Sequence, residues 1–460
     1  MSYVLHRFLV KPGMTKYYIL DTKYYLLNSM KIKTRIAPSP TGLLHIGTAR
    51  TALYNFLFAR ANKGEFILRF EDTDKLRSKE KFEKDITAGL KWLGLVWDGK
   101  VLYQKNRLKI YTQNIQKLLK SGSAYEKDGA LWFKMPYNQS IYWNDEVRGK
   151  IEFSTSNDKD FVIVRKDGTP LFALSNTIDD YEIDKITHVI RGEDHISNTP
   201  RQILIAKALG YQTKIKYAHL PMILNEDKSK MSKRKDPVSV TKDFMEKGYL
   251  PEALVNFMAL LGWNPGGDKE LMTIDEMTKK FNFKRVNKAG AVFDIEKLNW
   301  INAQYLKKLS DNELLKQANK YFQAGIDTNL KSRILKVIKD RLEYLDQISD
   351  ASAYFFKLPK YNKDLLIFKK SDLDSTRRGL EIARDALDNA DEPTWNSQDD
   401  LNQLLASEVQ KFVLSNGDLF WPVRAALSGI EASPSPSELL WVLGKNESLC
   451  RIDKAIEKLK

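Results

Sequence analysis

One stretch of the sequence, Arg35–Thr48, sets the strongest constraint on the fold, because it predicts a strand, a sharp turn and the start of a helix. The residues before the turn alternate between β-branched and charged side chains, as in a short strand. Two prolines and a glycine then stop the strand and allow the chain to reverse. From Ile46 to Arg60, apolar side chains recur at helical spacing. The predicted helix therefore directs its free N–H groups and the positive end of its dipole at the turn, which suits a phosphate.

Two residues at this predicted helix start have chemistry that fits a nucleotide. The imidazole of His45 can donate a hydrogen bond to a phosphate oxygen, and Gly47 leaves room for a base or ribose beside the backbone. A second candidate segment, the basic run 230–235, follows an apolar stretch much later in the chain. Each segment alone has an ordinary explanation, a structural turn or a solvated charge run, so only their combination points to a nucleotide.

Together the two segments resemble the ATP-binding signatures of class I aminoacyl-tRNA synthetases. The longer run R-I-A-P-S-P-T-G-x-x-H-I-G-T-A-R-T-A-L-Y-N is similar to bacterial glutamyl-tRNA synthetases. The resemblance implies an α/β fold: a Rossmann-type catalytic core with an inserted acceptor-binding domain, followed by an all-helical C-terminal anticodon-binding region. It also implies catalytic or ATP-binding roles for His45, Gly47, Thr48, Lys230, Met231, Ser232, Lys233 and Arg234.

The same resemblance implies a reaction, its cofactors and its partners. A glutamate–tRNA ligase adenylates L-glutamate with ATP and then transfers it to the terminal ribose of tRNA, which releases pyrophosphate and AMP. By this resemblance, the activation of glutamate depends on bound tRNA. The expected ligands are ATP with Mg²⁺, L-glutamate and the tRNA for glutamate, with no zinc. The expected protein is a cytoplasmic monomer without membrane association.

Polar residues at the ends of two predicted strands supply the candidate amino-acid site. Glu71 ends one compact apolar strand, and Arg191 follows another. Ligands bind at the carboxyl ends of strands in open α/β sheets. The alternatives are a helix-capping role for the acid, and an internal ion pair of the arginine with Glu193 or Asp194.

The resemblance gives these residues specific roles. It implies that Glu71 contacts the α-amino group of glutamate and that Arg191 binds the γ-carboxylate, for which a guanidinium fork is well suited. Where the family has a substrate-contacting tyrosine in a P-T-Y motif, this chain has Pro170-Leu171-Phe172, so that hydroxyl is missing. Further glutamate-binding roles are implied for Arg35, Ala37, Ser39 and Asn176.

Hydrophobic periodicity and turn residues predict several other elements of the fold. Helices are predicted over 79–93 and 106–120, and strands over 66–71 and 186–190. Thr199 is predicted to cap a helix, because a proline follows it directly.

Composition limits the possible partners and metal sites. The formal net charge of +15 and the pI near 9.3 favour an anionic partner such as nucleic acid. The single cysteine, Cys450, excludes an internal disulfide framework and a cysteine-cluster zinc site, and it fits a reducing compartment. Some relatives in the resembled family carry a zinc ribbon near Tyr125–Phe133, so aromatic packing is expected to hold that hairpin here. No apolar run approaches the roughly 20 residues that span a bilayer.

The sequence predicts six segments. The first is an N-terminal extension that we expect to be non-essential, with Met30 as the natural start; because it is poor in acids, a transit peptide is the alternative. The remaining divisions rest largely on the resemblance. The segments are the extension 1–30, Rossmann half 1 (31–102), the inserted acceptor-binding domain (103–170), Rossmann half 2 with the basic ATP loop (171–235), a stem-contact connector (236–312) and the helical anticodon-binding region (313–460).

Two arginines in the helical third, Arg341 and Arg424, are candidates for anticodon contacts by the resemblance; each is also an ordinary surface arginine in the alternative interpretation. Two functional alternatives accompany the main prediction. One is a non-discriminating enzyme that also charges glutamine tRNA. The other is a nucleotidyltransferase that does not act on tRNA, which would have no need of a basic helical C-terminal third.

Overall fold

The structure, a computed structural model, describes residues 31–74, 76–229, 231 and 238–460. These residues form two compact units. The N-terminal unit takes the described residues up to Glu246 together with Leu254–Ile295, and the C-terminal unit takes Lys247–Ala253 and Glu296–Lys460. The predicted N-terminal extension, 1–30, lies outside the described residues.

All strands of the described chain belong to the N-terminal unit. In chain order they are β1 (Lys33–Ile36), β2 (Glu65–Phe70), β3 (Leu102–Tyr103), β4 (Ala124–Lys127), β5 (Ala130–Phe133), β6 (Ser140–Asp145), β7 (Gly149–Ser154), β8 (Phe161–Val164), β9 (His188–Gly192), β10 (Lys216–Leu220), β11 (Ile223–Leu224) and β12 (Ala291–Val292).

The helices alternate with strands as far as β12, and all later elements of the chain are helical. In chain order they are α1 (Ile46–Ala61), α2 (Glu80–Trp92), α3 (Leu108–Lys120), α4 (Phe172–Ile178), α5 (Asn198–Ala208), α6 (Pro251–Leu260), α7 (Ile274–Lys280), α8 (Ile295–Lys308), α9 (Asp311–Ala318), α10 (Thr328–Ile338), α11 (Ile348–Phe356), α12 (Leu373–Asn389), α13 (Glu392–Trp395), α14 (Gln398–Lys411), α15 (Asn416–Ser428) and α16 (Pro436–Lys458).

Two sheets with parallel pairing form the centre of the N-terminal unit. One has the order β1–β2–β3, and the other has the order β7–β6–β10–β9. Strand β9 lies beside β1, where the N–H of Thr187 donates to the carbonyl oxygen of Lys33 at 3.0 Å. Because β1, β2, β9 and β10 pair in parallel or lie side by side, their carboxyl ends meet at one edge, where ligands bind in such sheets.

Helix α1 forms as the sequence predicts. His45 is its N-cap, and the Nδ1 atom accepts from the N–H of Gly47 at 2.9 Å. Gly64 lies just past the helix end, where its N–H donates to Ala59 O at 2.7 Å. A Cβ at Gly64 would collide with the carbonyl oxygen of Ile32, so the return into β2 requires glycine. The predicted helix over 46–60 is confirmed.

The region 103–170 contributes to two different sheets. Strands β4, β5 and β8 form a separate antiparallel sheet, whereas β6 and β7 extend the sheet of β9 and β10. The β4–β5 turn places Asp128 and Gly129 at φ of 53° and 74°, as expected for a tight hairpin. Nearby, the ring centroids of Phe133 and Phe161 are 5.3 Å apart, and the hydroxyl of Tyr125 donates to Asp160 at 2.7 Å. These contacts join the hairpin to β8 and its neighbouring segment; that aromatic packing holds the hairpin itself stays a prediction.

Helices and short 3₁₀ turns make up the C-terminal unit, as predicted. The buried side chain of Arg451, on α16, donates to Tyr354 O at 2.7 Å and to Leu427 O at 2.6 Å. These carbonyls lie in the last turns of α11 and α15, where helices leave acceptors without intrahelical partners. One arginine therefore ties three helices together. No helix among the residues described is both long and apolar enough to cross a membrane.

Candidate active site

A cavity of about 590 Å³ opens in the N-terminal unit at the carboxyl ends of β1, β2 and β9. It gathers residues that are far apart in the sequence. The described members of the two candidate nucleotide segments that line it are His45, Gly47, Thr48 and Met231. The predicted glutamate-binding residues that line it are Arg35, Ala37, Ser39, Glu71, Asn176 and Arg191. The predicted loop residues Lys230, Ser232, Lys233 and Arg234 lie outside the described residues.

The turn that forms one wall of the cavity is fixed by the residue after β2, the residue before α2 and one side chain on α2. The carbonyl oxygens of Pro38 and Pro40 accept from the N–H groups of Glu71 and Lys79 at 3.1 and 3.0 Å. At the other end, Asp85 accepts from the N–H of Leu44 at 2.7 Å. The turn is thus held at both ends by groups outside it.

The described residues on either side of 232–237 have fixed backbone partners near the cavity. Val238 O accepts from the N–H of Ile46 at 2.9 Å, and the N–H of Val240 donates to Leu44 O at 2.8 Å. Before the basic run, the N–H of Met231 donates to Ile223 O at 3.2 Å, and Met231 lines the cavity. Met231 therefore lines the same cavity as the turn, and Val238 is hydrogen-bonded to the first residue of α1.

Glu71 is a carboxylate with a side chain that is only 11% exposed and has a defined orientation. Its Oε1 accepts from the amide of Asn176 at 2.5 Å, and Asn176 in turn accepts from Gln202 at 3.0 Å. Burial raises the pKa of Glu71 to about 7, although the charges of Arg69 and Arg35 oppose the shift. The group therefore gains or loses a proton near neutral pH.

Among the residues that the structure describes, Arg191 has only neutral hydrogen-bond partners. Its Nε donates to Nε2 of His219 at 3.3 Å, and one terminal nitrogen, Nη2, donates to the hydroxyl of Thr199 at 2.8 Å. The other terminal nitrogen, Nη1, is buried and has no hydrogen-bond partner among the described residues. An ion pair of Arg191 with Glu193 or Asp194, the alternative interpretation, does not occur there. Burial lowers the pKa of Arg191 to about 10, which leaves it a cation at neutral pH.

Arg35 differs from Arg191 because its charge is already matched. Both Nε and Nη2 lie 3.2 Å from carboxylate oxygens of Asp180, and Arg35 and Asp180 are both buried. Arg35 lines the cavity but is committed to this ion pair. Of these two cavity arginines, Arg191 is thus the one that has no ion-pair partner among the described residues.

Arg69, which lies 3.6 Å from the cavity residue Glu71, belongs to a cluster of buried charges that sequence reasoning did not identify. Arg69 projects from β2 and approaches three aspartates on the segment that follows α4: Asp180 at 2.8 Å, Asp184 at 2.7 Å and Asp179 at 3.4 Å. Arg107 joins the cluster at 2.7–2.8 Å from Asp184 and Asp179. The available signal was a single arginine inside the otherwise apolar part of β2, which requires buried acidic partners.

Two sequence predictions near Arg191 differ from the structure. Helix α5 begins at Asn198 with Ser197 as N-cap, so Thr199 is not the cap; its hydroxyl accepts from Arg191 instead. Strand β9 spans His188–Gly192 rather than 186–190. The N–H of Ile186 donates to Asp180 O at 2.8 Å, which keeps that residue with the π-helical segment Asp179–Ile183.

The anticodon candidates lie in the C-terminal unit and are near each other. Arg341 donates to Ser433 O at 2.9 Å, and Arg424 donates to Glu431 O at 3.0 Å. Burial lowers the pKa of Arg424, and the positive charge of Arg341 lowers it further. The guanidinium of Arg424 also lies 4.5 Å above the ring of Trp421.

The described residues contain no group of three or more histidines, cysteines or acids that could hold a metal ion.

Comparison with known proteins assigns the family. The profile of tRNA synthetases class I (E and Q), catalytic domain, matches residues 31–130 and 126–300. The chain belongs to this family. A second profile, described as an anticodon binding domain, matches residues 302–456. The class I synthetase fold and its helical C-terminal region, both expected from the resemblance, are confirmed.

Relatives within the family extend over nearly the whole chain. A glutamate–tRNA ligase 2 from Thermoanaerobacter pseudethanolicus is 36% identical over 93% of this chain and 98% of its own length. A glutamate–tRNA ligase from Thermodesulfovibrio yellowstonii is 36% identical over 93% of this chain and 99% of its own. The crystal structure of a glutamate tRNA ligase from Elizabethkingia meningosepticum, in complex with its amino acid, superposes with a TM-score of 0.82 at 30% identity. That likeness covers 94% of this chain and 100% of the other.

Proposed function

We propose that this protein is a glutamate–tRNA ligase, which attaches L-glutamate to the tRNA for glutamate at the expense of ATP. The observation that carries the proposal is the cavity itself. It combines the unmatched cation of Arg191 and the carboxylate of Glu71 with the N-terminus of α1. The family membership and the named relatives point the same way.

In the proposed reaction, Arg191 binds the γ-carboxylate of glutamate and Glu71 binds the α-ammonium group. Arg35, Ala37, Ser39 and Asn176 complete that subsite. With both ends of the amino acid held, the α-carboxylate remains free to attack the α-phosphorus of ATP. One P–O bond forms, another breaks, and pyrophosphate leaves. Catalysis of this step depends on positioning and on stabilisation of phosphoryl charge rather than on a covalent protein intermediate.

The phosphates of ATP belong, in this proposal, at the start of α1. His45 accepts from Gly47 through Nδ1, so its neutral ring carries the proton on Nε2 and is a donor there. Thr48 adds a hydroxyl, and the loop residues Lys230, Met231, Ser232, Lys233 and Arg234 complete the ATP site. Mg²⁺ is expected with ATP, where it would neutralise phosphate charge while the phosphates and water serve as its ligands.

The second proposed step uses tRNA. A hydroxyl of the terminal ribose attacks the carbonyl carbon of glutamyl-adenylate, and AMP leaves. Residues 103–170 would bind the acceptor end and 236–312 the stem. Residues 313–460 would read the anticodon, with Arg341 and Arg424 as contacts. The net charge of +15 supports binding of a polyanion. We propose a cytoplasmic monomer, since one chain carries both a catalytic and an anticodon-binding part.

The direct test is glutamate-dependent exchange of pyrophosphate into ATP, with and without tRNA. We expect exchange only when tRNA specific for glutamate is present, followed by formation of glutamyl-tRNA. Charging of glutamine tRNA as well would identify the non-discriminating form. Exchange that needs no tRNA and accepts another carboxylic acid would contradict the proposal in favour of a nucleotidyltransferase. The anticodon-binding profile at 302–456 does not favour that alternative.

The pH dependence of glutamate activation should report on Glu71. Burial raises the pKa of this group to about 7, and only the carboxylate form pairs with an ammonium ion. The value of kcat/KM for glutamate should therefore rise as pH increases through about 7 and then level off. Glu71→Gln should remove that step and lower kcat/KM by about tenfold to a hundredfold. Glu65→Gln, at a half-exposed carboxylate, is the control. If the step persisted in Glu71→Gln, another group would be responsible.

A further inference from the structure

Arg191 is held in place through a buried pair, His219 on β10 and Asp145 at the end of β6. Nδ1 of His219 lies 2.5 Å from Oδ2 of Asp145, and neither side chain is exposed to solvent. The other carboxylate oxygen, Oδ1, accepts from the N–H groups of Val147, Arg148 and His219 at 3.0–3.1 Å. Asp145 is thus surrounded by donors.

This surrounding fixes the protonation of both groups. Burial alone would raise the pKa of Asp145, but His219 and the backbone N–H groups hold it below its usual range. Burial lowers the pKa of His219 in spite of its contact with Asp145. A neutral imidazole beside an ionised carboxylate donates from Nδ1, so its Nε2 carries a lone pair. The Nε–H of Arg191 lies 3.3 Å from this nitrogen, and the hydroxyl of Thr199 lies 3.1 Å from it, so both can donate to the lone pair.

The imidazole of His219 lies between Arg191 and the carboxylate of Asp145. The guanidinium therefore forms no direct ion pair with Asp145, and its positive charge stays available to a ligand. Arg35, which touches Asp180 directly, forms a closed ion pair. Arg191 instead receives one neutral acceptor from His219 and another from Thr199, while Nη1 keeps its donor capacity. A cation with neutral partners in a buried site favours an anionic ligand over a neutral one of the same shape.

We propose that Asp145 and His219 are positioning residues that orient Arg191 and determine the preference for a γ-carboxylate over a γ-amide. The proposal rests on the function proposed above, in which Arg191 binds the side chain of glutamate. Thr199 fixes the second edge of the same guanidinium. The three residues act on glutamate only through Arg191.

The variant Asp145→Asn tests this arrangement with little change in shape. Its side-chain oxygen can still accept from the backbone N–H groups, but an NH₂ group then faces Nδ1 of His219. Nδ1 must then become an acceptor, which moves the ring proton to Nε2. Two donors, the Nε2–H of His219 and the Nε–H of Arg191, would then face each other without an acceptor between them. With exchange measured in the presence of tRNA, we expect KM for glutamate to rise about tenfold to a hundredfold. KM for ATP should stay within about twofold, and the preference for glutamate over glutamine should fall.

The control is Asp98→Asn, the same change at a half-exposed carboxylate that also accepts a backbone N–H, that of Phe66. It should leave both KM values unchanged. Failure of wild-type protein to activate glutamate would overturn the proposed function. By contrast, an active wild type together with an unchanged glutamate KM and glutamate-to-glutamine ratio in Asp145→Asn would overturn only the present inference.

A second measurement needs no variant. Nitrogen-15 NMR of the wild-type protein labelled at histidine distinguishes the two neutral tautomers from the imidazolium ion. His219 should be neutral with its proton on Nδ1 across the neutral pH range. An imidazolium ion, or the tautomer protonated on Nε2, would contradict the proposal even if Asp145→Asn did not fold.

Discussion

Replacing Arg191 with glutamine should lower kcat/KM for glutamate by about 10² to 10⁴-fold while leaving KM for ATP nearly unchanged. The substrate γ-carboxylate would then enter a buried site without a cation. Removing one partner of a buried charge pair costs about 3–5 kcal/mol, and each 1.36 kcal/mol corresponds to a tenfold change in rate. Arg191 has the geometry for this effect, since it is buried and its Nη1 has no hydrogen-bond partner among the described residues.

One further variant separates charge from shape at this position, and a second serves as the control. Arg191→Lys keeps the charge but loses the planar fork that matches a carboxylate, so its activity should lie between those of the wild type and Arg191→Gln. Arg201→Gln is the control. Arg201 lies on α5, the helix that follows β9, and it packs over the ring of Phe161 at 5.1 Å, outside the cavity lining. Glutamate kinetics that survived in Arg191→Gln would move the anion-binding role to another cavity residue.

The sequence predicted the parts of this site that local pattern determines. The strand, turn and helix around His45 follow from proline, glycine and periodic apolar residues within one short stretch. Family resemblance added residues such as Ala37 and Asn176, and all of those predicted for glutamate line one cavity. Whether each binds glutamate stays a prediction, since position in a cavity does not establish a contact.

The partners of buried charges could not be predicted, because they are set by tertiary packing. Asp145 and His219 lie on strands that become neighbours only when β6 joins β10, so no local pattern connects them. The same holds for Thr199. A threonine before a proline is typical of a helix cap. In the structure, however, the hydroxyl of Thr199 accepts a hydrogen bond from the guanidinium of Arg191. At that position, a tertiary hydrogen bond decided the role of the side chain, and the local preference for a helix cap did not.

Replacing Arg69 with methionine should destabilise the N-terminal unit by about 3–5 kcal/mol, the largest stability effect that we expect from a single substitution. Arg69 is fully buried, and it approaches Asp179, Asp180 and Asp184 within 2.7–3.4 Å. Methionine has a similar length but no charge, so three carboxylates would share only the arginines at 35 and 107. Differential scanning calorimetry should show a lower unfolding temperature for Arg69→Met.

The matched control is Arg60→Met, at an ion pair whose members are partly exposed. Arg60 lies 2.7 Å from Asp98, and their side chains are 30% and 41% exposed, so this pair should contribute only about 0–1 kcal/mol. An equal loss of stability in both variants would show that burial does not govern the effect of Arg69.

The pH dependence of the unfolding free energy should show whether Arg69→Met loses stability through the missing charge or through altered packing. Burial opposes ionisation of Asp180, yet Arg35 and Arg69 hold its pKa below the usual range, so its ionised form stabilises the folded wild type above pH about 4. That contribution disappears as pH falls through the lowered pKa. Without Arg69, Asp180 binds its proton at higher pH, so acid removes less stabilisation from the variant than from the wild type. The gap in unfolding free energy between wild type and variant should therefore narrow as pH decreases. A gap independent of pH would instead attribute the loss to altered packing around the methionine.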